Sequence, residues 1–172
     1  AMIQSHRVFA YAFGGERGRV TPDRYWRDVG SLDAYYEANM DLLEPVPPLD
    51  LYQSDWAIRT YHGQNPPARM VPGDHGRDGA MTNSSLGAGS VIIGGQVRHS
   101  ILASRVQIQQ DALVEDSILF DHVVVEKGAR LRRCIIDKHV RVPAGESIGH
   151  DLARDRERFT VSEKGITVVT KD

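Results

Sequence analysis

Two histidines supply the first candidates for chemistry in this 172-residue sequence. His122 and His139 stand at the same position of successive segments of an internal repeat, and His99 stands elsewhere on that repeat. A histidine held at a surface can act as a general base towards an acceptor hydroxyl or amine. The spacing therefore allows an acyltransferase, while a stack of surface histidines without a catalytic role is the simpler interpretation.

A glycine-rich stretch offers a second candidate, a cradle for phosphate. It reads Gly14-Gly15-Glu16-Arg17-Gly18-Arg19. A phosphate loop needs glycines at set spacing and a following helix whose first amides point at the phosphate. Here the glycine spacing differs and Pro22 follows where the helix should start. The stretch therefore predicts a surface turn.

Composition restricts the classes of protein. The sequence has 21 basic and 23 acidic residues, a formal charge of −2, which argues against a dedicated nucleic-acid binder. Cys134 is the lone cysteine, so an intramolecular disulfide and a thiolate zinc site are excluded and a reducing cytoplasm is favoured. No apolar run approaches the ~20 residues of a membrane span, and the start lacks the apolar stretch of a signal peptide. We therefore expect a cytoplasmic protein without nucleic-acid or membrane partners.

The most informative pattern is that internal repeat. Segments 99–115, 116–132 and 133–149 align with one another without gaps, and their apolar residues recur in steps of 5, 6 and 6. Neither helical periodicity nor simple strand alternation produces these steps, whereas three short strands per coil do. The repeat predicts a mainly β fold, a left-handed parallel β-helix of hexapeptide type. An ordinary sandwich that happens to be periodic is the alternative.

The domain boundaries follow the repeat. Its rhythm extends upstream through a shortened coil to about Asn83, which assigns residues 83–150 to the β-helix. Residues 151–172 predict a C-terminal cap, a short charged helix or turn followed by a hairpin. Residues 45–82 are broken by proline and glycine and are interpreted as a linker with one strand-like piece, 57–61.

Residues 1–44 differ from the repeat in the elements that they predict, two strands and one helix. Segments 8–13 and 25–29 are strand candidates, and Ser31 is a good N-cap for a helix. The apolar residues of that helix share one face: Leu32, Tyr35, Tyr36, Met40 and Leu43. Two strands and one helix are too little for a domain, so residues 1–44 are expected to be the remnant of a larger α/β domain.

Several segments resemble one enzyme family. Residues 25–40, YWRDVGSLDAYYEANM, are similar to the segment that closes the catalytic domain of bacterial glucose-1-phosphate adenylyltransferases (ADP-glucose pyrophosphorylases). Segments 55–61, 66–69, 131–137 and 158–166 resemble the same family in the same order. The resemblance implies an allosteric homotetramer that makes ADP-glucose and pyrophosphate from ATP and glucose 1-phosphate, with magnesium, for glycogen synthesis. It also implies a carboxy-terminal left-handed β-helix.

The family's nucleotidyltransferase loop and sugar-phosphate segment have no counterpart in the 172 residues. We therefore expect the chain alone to be non-catalytic and to need no cofactor. Its expected role is to pack on the catalytic domain, to self-associate and to contribute cations to an effector site. A hexapeptide-repeat acyltransferase and a ligand-free structural assembly module remain as alternatives, so whether the chain is an enzyme stays open.

The resemblance suggests roles for five residues. Asp28 matches an aspartate that helps to hold magnesium in the intact enzyme, with a solvated aspartate as the alternative here. Lys138 and Lys171 match arginines that contact phosphorylated effectors of the fructose 1,6-bisphosphate or AMP type. A lysine binds phosphate as a point charge, without the bidentate fork of arginine. Arg133 is expected beside Lys138 on the same coil, and Gly89 matches a turn that offers amides to an activator.

Overall fold

A computed structural model of the chain describes residues 4–9, 25–52, 54, 59–61, 63–74, 76 and 78–171. The glycine-rich stretch 14–19 lies outside these residues, as do residues 10–13 and 57–58 of two strand candidates. The described ends of those candidates, 8–9 and 59–61, are not strands. Among the described residues, neither α-helix has the length and apolar character needed to cross a membrane.

Three parallel sheets form the body of the molecule. Sheet one runs, in spatial order, through β1 (Arg69–Val71), β4 (Val91–Ile93), β7 (Gln107–Ile108), β10 (Val124–Val125) and β13 (Arg141–Val142). Sheet two runs through β2 (Ala80–Thr82), β5 (Gln96–Arg98), β8 (Leu113–Glu115), β11 (Arg130–Arg132) and β14 (Ser147–Ile148). Sheet three runs through β3 (Ser85–Leu86), β6 (Ile101–Leu102), β9 (Ile118–Leu119), β12 (Cys134–Ile136), β16 (Thr167–Val169) and the antiparallel β15 (Thr160–Val161).

The register of these sheets reproduces the repeat. Ile118 pairs with Ile101 on one side and with Ile135 on the other, so each coil corresponds to one period of the sequence. Each coil contributes one strand to every sheet. The predicted mainly β, parallel β-helix architecture is confirmed.

The chain turns sharply between sheets, and a backbone with positive φ marks each of three corners. Corner one, between sheets three and one, contains Gly89, Arg105, His122 and His139, with φ of +78°, +59°, +61° and +63°. Corner two, between sheets one and two, contains Gly94, Asp111, Gly128 and Gly145. Corner three, between sheets two and three, contains Asn83, His99, Asp116, Arg133 and Gly149.

The interior is filled by three apolar columns, one from each sheet. Their members are Ile92, Ile108, Val125 and Val142; Val97, Val114, Leu131 and Ile148; and Leu102, Leu119, Ile136 and Val169. None is more than 8% exposed. Burial of each such side chain stabilises the fold by about 1.5–3 kcal/mol relative to an exposed one.

The parallel sheets begin earlier than Asn83. Strands β1 and β2 already pair with β4 and β5, so the first coil starts at Arg69, inside the segment 45–82 assigned to a linker. The first coil places methionines, Met70 and Met81, at its interior positions, and Met70 is 50% exposed. Residues 72–79 separate β1 from β2, so the interior positions of this coil do not follow the steps of 5, 6 and 6.

A helix covers the outside of sheet three. Helix α1 (Leu32–Met40) begins at the predicted N-cap, where Ser31 Oγ accepts a hydrogen bond of 3.2 Å from Ala34 N. Its buried residues and those of the following 3₁₀ turn (Asp41–Leu43) pack on outward-facing isoleucines: Tyr36, Met40 and Leu43 against Ile118, Ile135 and Ile166. These outward-facing isoleucines therefore belong to a second apolar layer outside the coils.

The expected strand at 25–29 does not form. The segment is irregular, and it is held by side chains: Tyr25 and Arg27 both donate to the Asp41 carboxylate, at 3.0 and 2.9 Å. A strand needs a backbone partner, and no described segment pairs with these residues.

The cap at the C-terminal end consists of the predicted helix and hairpin. Helix α2 (Leu152–Arg158) is capped by Asp151, and β15 and β16 form the antiparallel hairpin. Asp155 of α2 is fully buried, and its Oδ2 accepts hydrogen bonds from Gly149 N (2.7 Å) and Thr167 Oγ1 (3.3 Å). Its Oδ1 has no hydrogen-bond partner among the described residues. One carboxylate thus joins the last coil, α2 and β16.

A ladder of hydroxyls runs inside corner three. Ser100 and Ser117 each donate to a carbonyl two residues back, of Arg98 (2.7 Å) and Glu115 (2.6 Å). Each also accepts from a backbone N–H one coil on: Ser117 N to Ser100 Oγ at 3.1 Å, and Cys134 N to Ser117 Oγ at 3.3 Å. Ser84 makes the same two bonds one coil earlier, to Thr82 O (2.8 Å) and from Ser100 N (3.0 Å), so Cys134 occupies the fourth position of a serine ladder.

The ladder predicts unequal effects of two substitutions. Ser117→Ala removes the acceptor of the buried Cys134 amide and should lower the free energy of unfolding by about 1–3 kcal/mol. Cys134→Ser restores the ladder residue and should change it by less than about 1 kcal/mol. Urea unfolding measures both, and a larger loss for Cys134→Ser than for Ser117→Ala would contradict the ladder.

Candidate functional site: a cationic corner beside the cap

Two lysines meet at corner one of the last coil. Strand β16 pairs in parallel with β12, with Val169 opposite Ile136, and Asp137 N donates to Val169 O at 2.9 Å. Lys138 and Lys171 each lie two residues beyond this pair, and both are exposed. Because parallel strands lie ~4.8 Å apart, this register brings the two lysines to neighbouring positions.

An open cavity of about 670 Å³ lies beside Lys171. Strand β13, α2 and the end of the hairpin line it, with Lys171, His139 and Arg156 among the residues that face it. It also contains Glu146, which accepts hydrogen bonds from Arg158 at 3.0 and 3.2 Å, so that this guanidinium holds the pKa of the Glu146 carboxyl below its usual range. The Glu146 carboxylate is therefore already neutralised.

Three cations near this cavity have no ion-pair partner in the described part of the chain: Lys138, Lys171 and Arg156. Two further guanidinium groups line the cavity and are already paired: Arg141 with Glu126 at 2.7 Å, and Arg158 with Glu146 at 3.0 Å. Glu157 also lines the cavity, so the three unpaired cations outnumber the carboxylate there that has no ion-pair partner among the described residues. The excess of positive charge favours an anion, and a phosphate group offers several acceptor oxygens to it.

The two histidines of corner one are stacked as predicted. The rings of His122 and His139 are 4.7 Å apart and inclined by 12°. His99 lies at corner three instead, where its Nδ1 is 2.8 Å from Asp116 Oδ1. His99, whose ring the Asp116 carboxylate orients, is therefore at a different corner from the cationic cavity.

Arg133 lies apart from the lysines. It is at corner three, at the opposite end of β12, and its Nη2 donates to Lys164 O at 3.0 Å. Five residues of extended chain span about 16 Å. The expectation that Arg133 flanks Lys138 is therefore wrong, because a strand carries them to different corners.

Gly89 is also at corner one, but it lies between β3 and β4, three coils before His139. Its φ is +78°, and an added Cβ would lie 3.1 Å from Arg105 Cγ. It lines a shallow depression with Pro66, Arg105 and His122. Gly89 thus shares an edge of the β-helix with Lys138 without joining the lysine pair.

Asp28 is an isolated, exposed carboxylate. Its Oδ1 accepts a hydrogen bond of 3.1 Å from Gly30 N. Across the described ranges, no three or more His, Cys, Asp or Glu side chains cluster in a way that could hold a metal ion. A single carboxylate without a phosphate beside it holds Mg²⁺ weakly.

Cys134 has a packing role. It is fully buried, and burial raises the pKa of its thiol to about 12. The thiol therefore stays protonated and unreactive at neutral pH.

Sequence reasoning missed the parallel pairing of β16 with β12 and the position of Arg156. The apolar run of residues 166–169 predicts a hairpin strand but does not reveal its second neighbour. Arg156 could have been found from the helix that Asp151 caps, because that N-cap fixes which α2 residues lie near the last coil.

These observations define a class. Coils that match the sequence repeat, three parallel sheets and positive-φ corners make a hexapeptide-repeat parallel β-helix. The family model described as GlmU-like, C-terminal hexapeptide matches residues 66–169. The chain belongs to this family, which confirms the left-handed β-helix and agrees with a first coil that starts at Arg69.

Comparison with curated proteins gives relatives along the whole chain. It is 52% identical over 168 residues to glucose-1-phosphate adenylyltransferase 2 of Vibrio cholerae, covering 98% of this chain and 41% of the relative. It is 54% identical to the corresponding enzyme of Vibrio parahaemolyticus, covering 98% and 42%. It is 46% identical to the glucose-1-phosphate adenylyltransferase of an Anaeromyxobacter, covering 99% and 43%. The resemblance to this enzyme family is confirmed, and the chain spans about two-fifths of the length of these relatives.

Proposed function

We propose that this chain is the carboxy-terminal regulatory and oligomerisation part of a cytoplasmic glucose-1-phosphate adenylyltransferase. That enzyme would make ADP-glucose and pyrophosphate from ATP and glucose 1-phosphate for glycogen synthesis. The names of the relatives and the share of their length that the chain covers support the proposal. The chain alone would be non-catalytic. In the intact enzyme, Asp28 would supply one carboxylate to magnesium.

The regulatory role rests on one observation, the strand register that brings Lys138 and Lys171 to neighbouring positions at corner one, where Lys171 lines the open cavity. We propose that this corner binds a phosphorylated effector of the fructose 1,6-bisphosphate or AMP type. Two neighbouring ammonium groups match the charge of one phosphate, and Arg156 at the cavity matches a second anionic group. Binding would regulate the enzyme if its states differ in affinity for the effector.

Exposed apolar residues support a contact with the rest of such an enzyme or with another copy. Trp26 is 69% exposed, Val29 is 54% exposed and Leu32 is 40% exposed, all on the segment that enters α1. Large apolar side chains grouped on a surface are characteristic of interaction sites.

Ligand binding to the purified chain tests the effector site. The panel is fructose 1,6-bisphosphate, AMP, inorganic phosphate and acetyl-CoA, measured by thermal shift and then by calorimetry. Lys138→Ala and Lys171→Ala should each weaken binding of the phosphorylated ligand about tenfold, since a charge-assisted contact contributes about 1.5–3 kcal/mol. Lys127→Ala, at corner two, is the matched control and should leave the Kd unchanged.

The other outcomes separate the alternatives. A shift with acetyl-CoA alone would favour an acyltransferase. No shift with any ligand would favour an assembly module that binds no metabolite. Binding that survives both lysine substitutions would place the anion site elsewhere.

A further inference from the structure

The turn of the cap hairpin is held from two sides. From α1, Asp33 accepts hydrogen bonds from Ser162 Oγ and from Lys164 N (3.3 Å), and Glu37 forms an ion pair with Lys164 Nζ. From corner three, Arg133 Nη2 donates to Lys164 O. We name these contacts the hairpin clasp. Both the backbone and the side chain of Lys164 take part in it.

Strand β16 runs directly from the hairpin clasp to Lys171. Val169 packs in the interior of the coils, whereas Ile166 packs in the layer under α1. β16 therefore lies between two packed layers, with the clasp before it and Lys171 two residues after it. Because packed layers deform little, the position of the hairpin turn limits where Lys171 can lie.

We infer that the hairpin clasp positions β16, and through it Lys171, so that the α1–Lys164 contacts set the affinity of corner one for a phosphate-bearing ligand. This inference rests on the proposed function of that corner. Arg133 acts in the same way, through Lys164, without touching the ligand. A cation held in its binding position loses less conformational freedom when the ligand binds, which strengthens binding.

Thermodynamic linkage makes the inference reciprocal. If the clasp strengthens ligand binding at corner one, then the ligand strengthens the clasp by the same factor. A ligand bound at Lys171 would then be sensed at α1, which carries Asp33 and Glu37. Ligand binding at corner one would therefore stabilise the contacts between α1 and the hairpin turn.

The experiment measures the Kd for fructose 1,6-bisphosphate in the 172-residue chain carrying Lys164→Met. We expect the Kd to rise about threefold to fivefold, the range that an exposed ion pair can supply. Lys164→Arg retains the positive charge opposite Glu37 and should restore most of the affinity. Lys127→Met is the matched control and should bind as the wild type does.

A double-mutant cycle separates positioning from general destabilisation. In the Lys171→Ala background, Lys164→Met should have no further effect on the Kd, because the residue it positions is gone. Equal effects of Lys164→Met with and without Lys171 would overturn the inference, and so would an unchanged Kd in the Lys164→Met variant. If the wild type fails to bind, or Lys171→Ala leaves binding intact, the proposed function of the corner fails instead.

Discussion

Gly149→Ala should lower the free energy of unfolding by about 4 kcal/mol or more, or prevent folding. Gly149 has φ of +80°, and an added Cβ would lie 1.6 Å from the carbonyl oxygen of Arg132. That oxygen belongs to the backbone of the neighbouring coil and cannot move without displacing β11. The substitution would also disturb the hydrogen bond from Gly149 N to Asp155.

Gly128→Ala is the matched control. Gly128 also has a positive φ, of +70°, but an added Cβ there would meet nothing within 4 Å. Only backbone strain should result, about 1–2 kcal/mol. Urea unfolding of both variants measures the difference, and equal losses would show that the close approach at Gly149 relaxes without cost.

Asp155→Ala should lower the free energy of unfolding by about 3 kcal/mol. The substitution leaves Gly149 N and the buried Thr167 hydroxyl without their shared acceptor. It also removes a buried side chain that joins the last coil, α2 and β16. The Oδ1 atom, which has no hydrogen-bond partner among the described residues, contributes no compensating bond in the native protein.

Asp151→Ala is the comparison for Asp155→Ala, because it removes a carboxylate from the same helix. Asp151 is exposed and caps α2 through Ala153 N and Arg154 N. Loss of an N-cap costs about 1 kcal/mol. Thermal and urea unfolding of the two variants should therefore rank Asp155→Ala as the more damaging. The reverse order would mean that the cap depends on helix formation more than on the buried carboxylate.

The repeat made most of the β-helix predictable from the sequence. Residues such as Leu102, Leu119 and Ile136 recur at the coil period because each coil buries its side chains against the next. The same period correctly placed His122 over His139. Periodicity carries this information wherever a coil has neighbours on both sides.

The ends and the site were harder to predict, for physical reasons. No described strand pairs with the outer side of the first coil, where Met70 is half exposed, and residues 72–79 between β1 and β2 interrupt the apolar rhythm. Lys138 and Lys171 meet only because β16 adds to β12, a pairing between the repeat and a segment outside it. Arg133 and Lys138 are close in sequence, but an extended strand separates them in space.

The two ends of the β-helix also differ in how they would meet another molecule. At the first coil, β1, β2 and β3 each pair with one strand only, and no strand among the described residues occupies their outer edges. At the other end, sheet three finishes with the antiparallel β15. A second copy adding its first coil there in parallel would meet a strand of opposite direction. The hairpin therefore disfavours parallel addition of a second copy at sheet three, whereas sheets one and two end in the parallel strands β13 and β14.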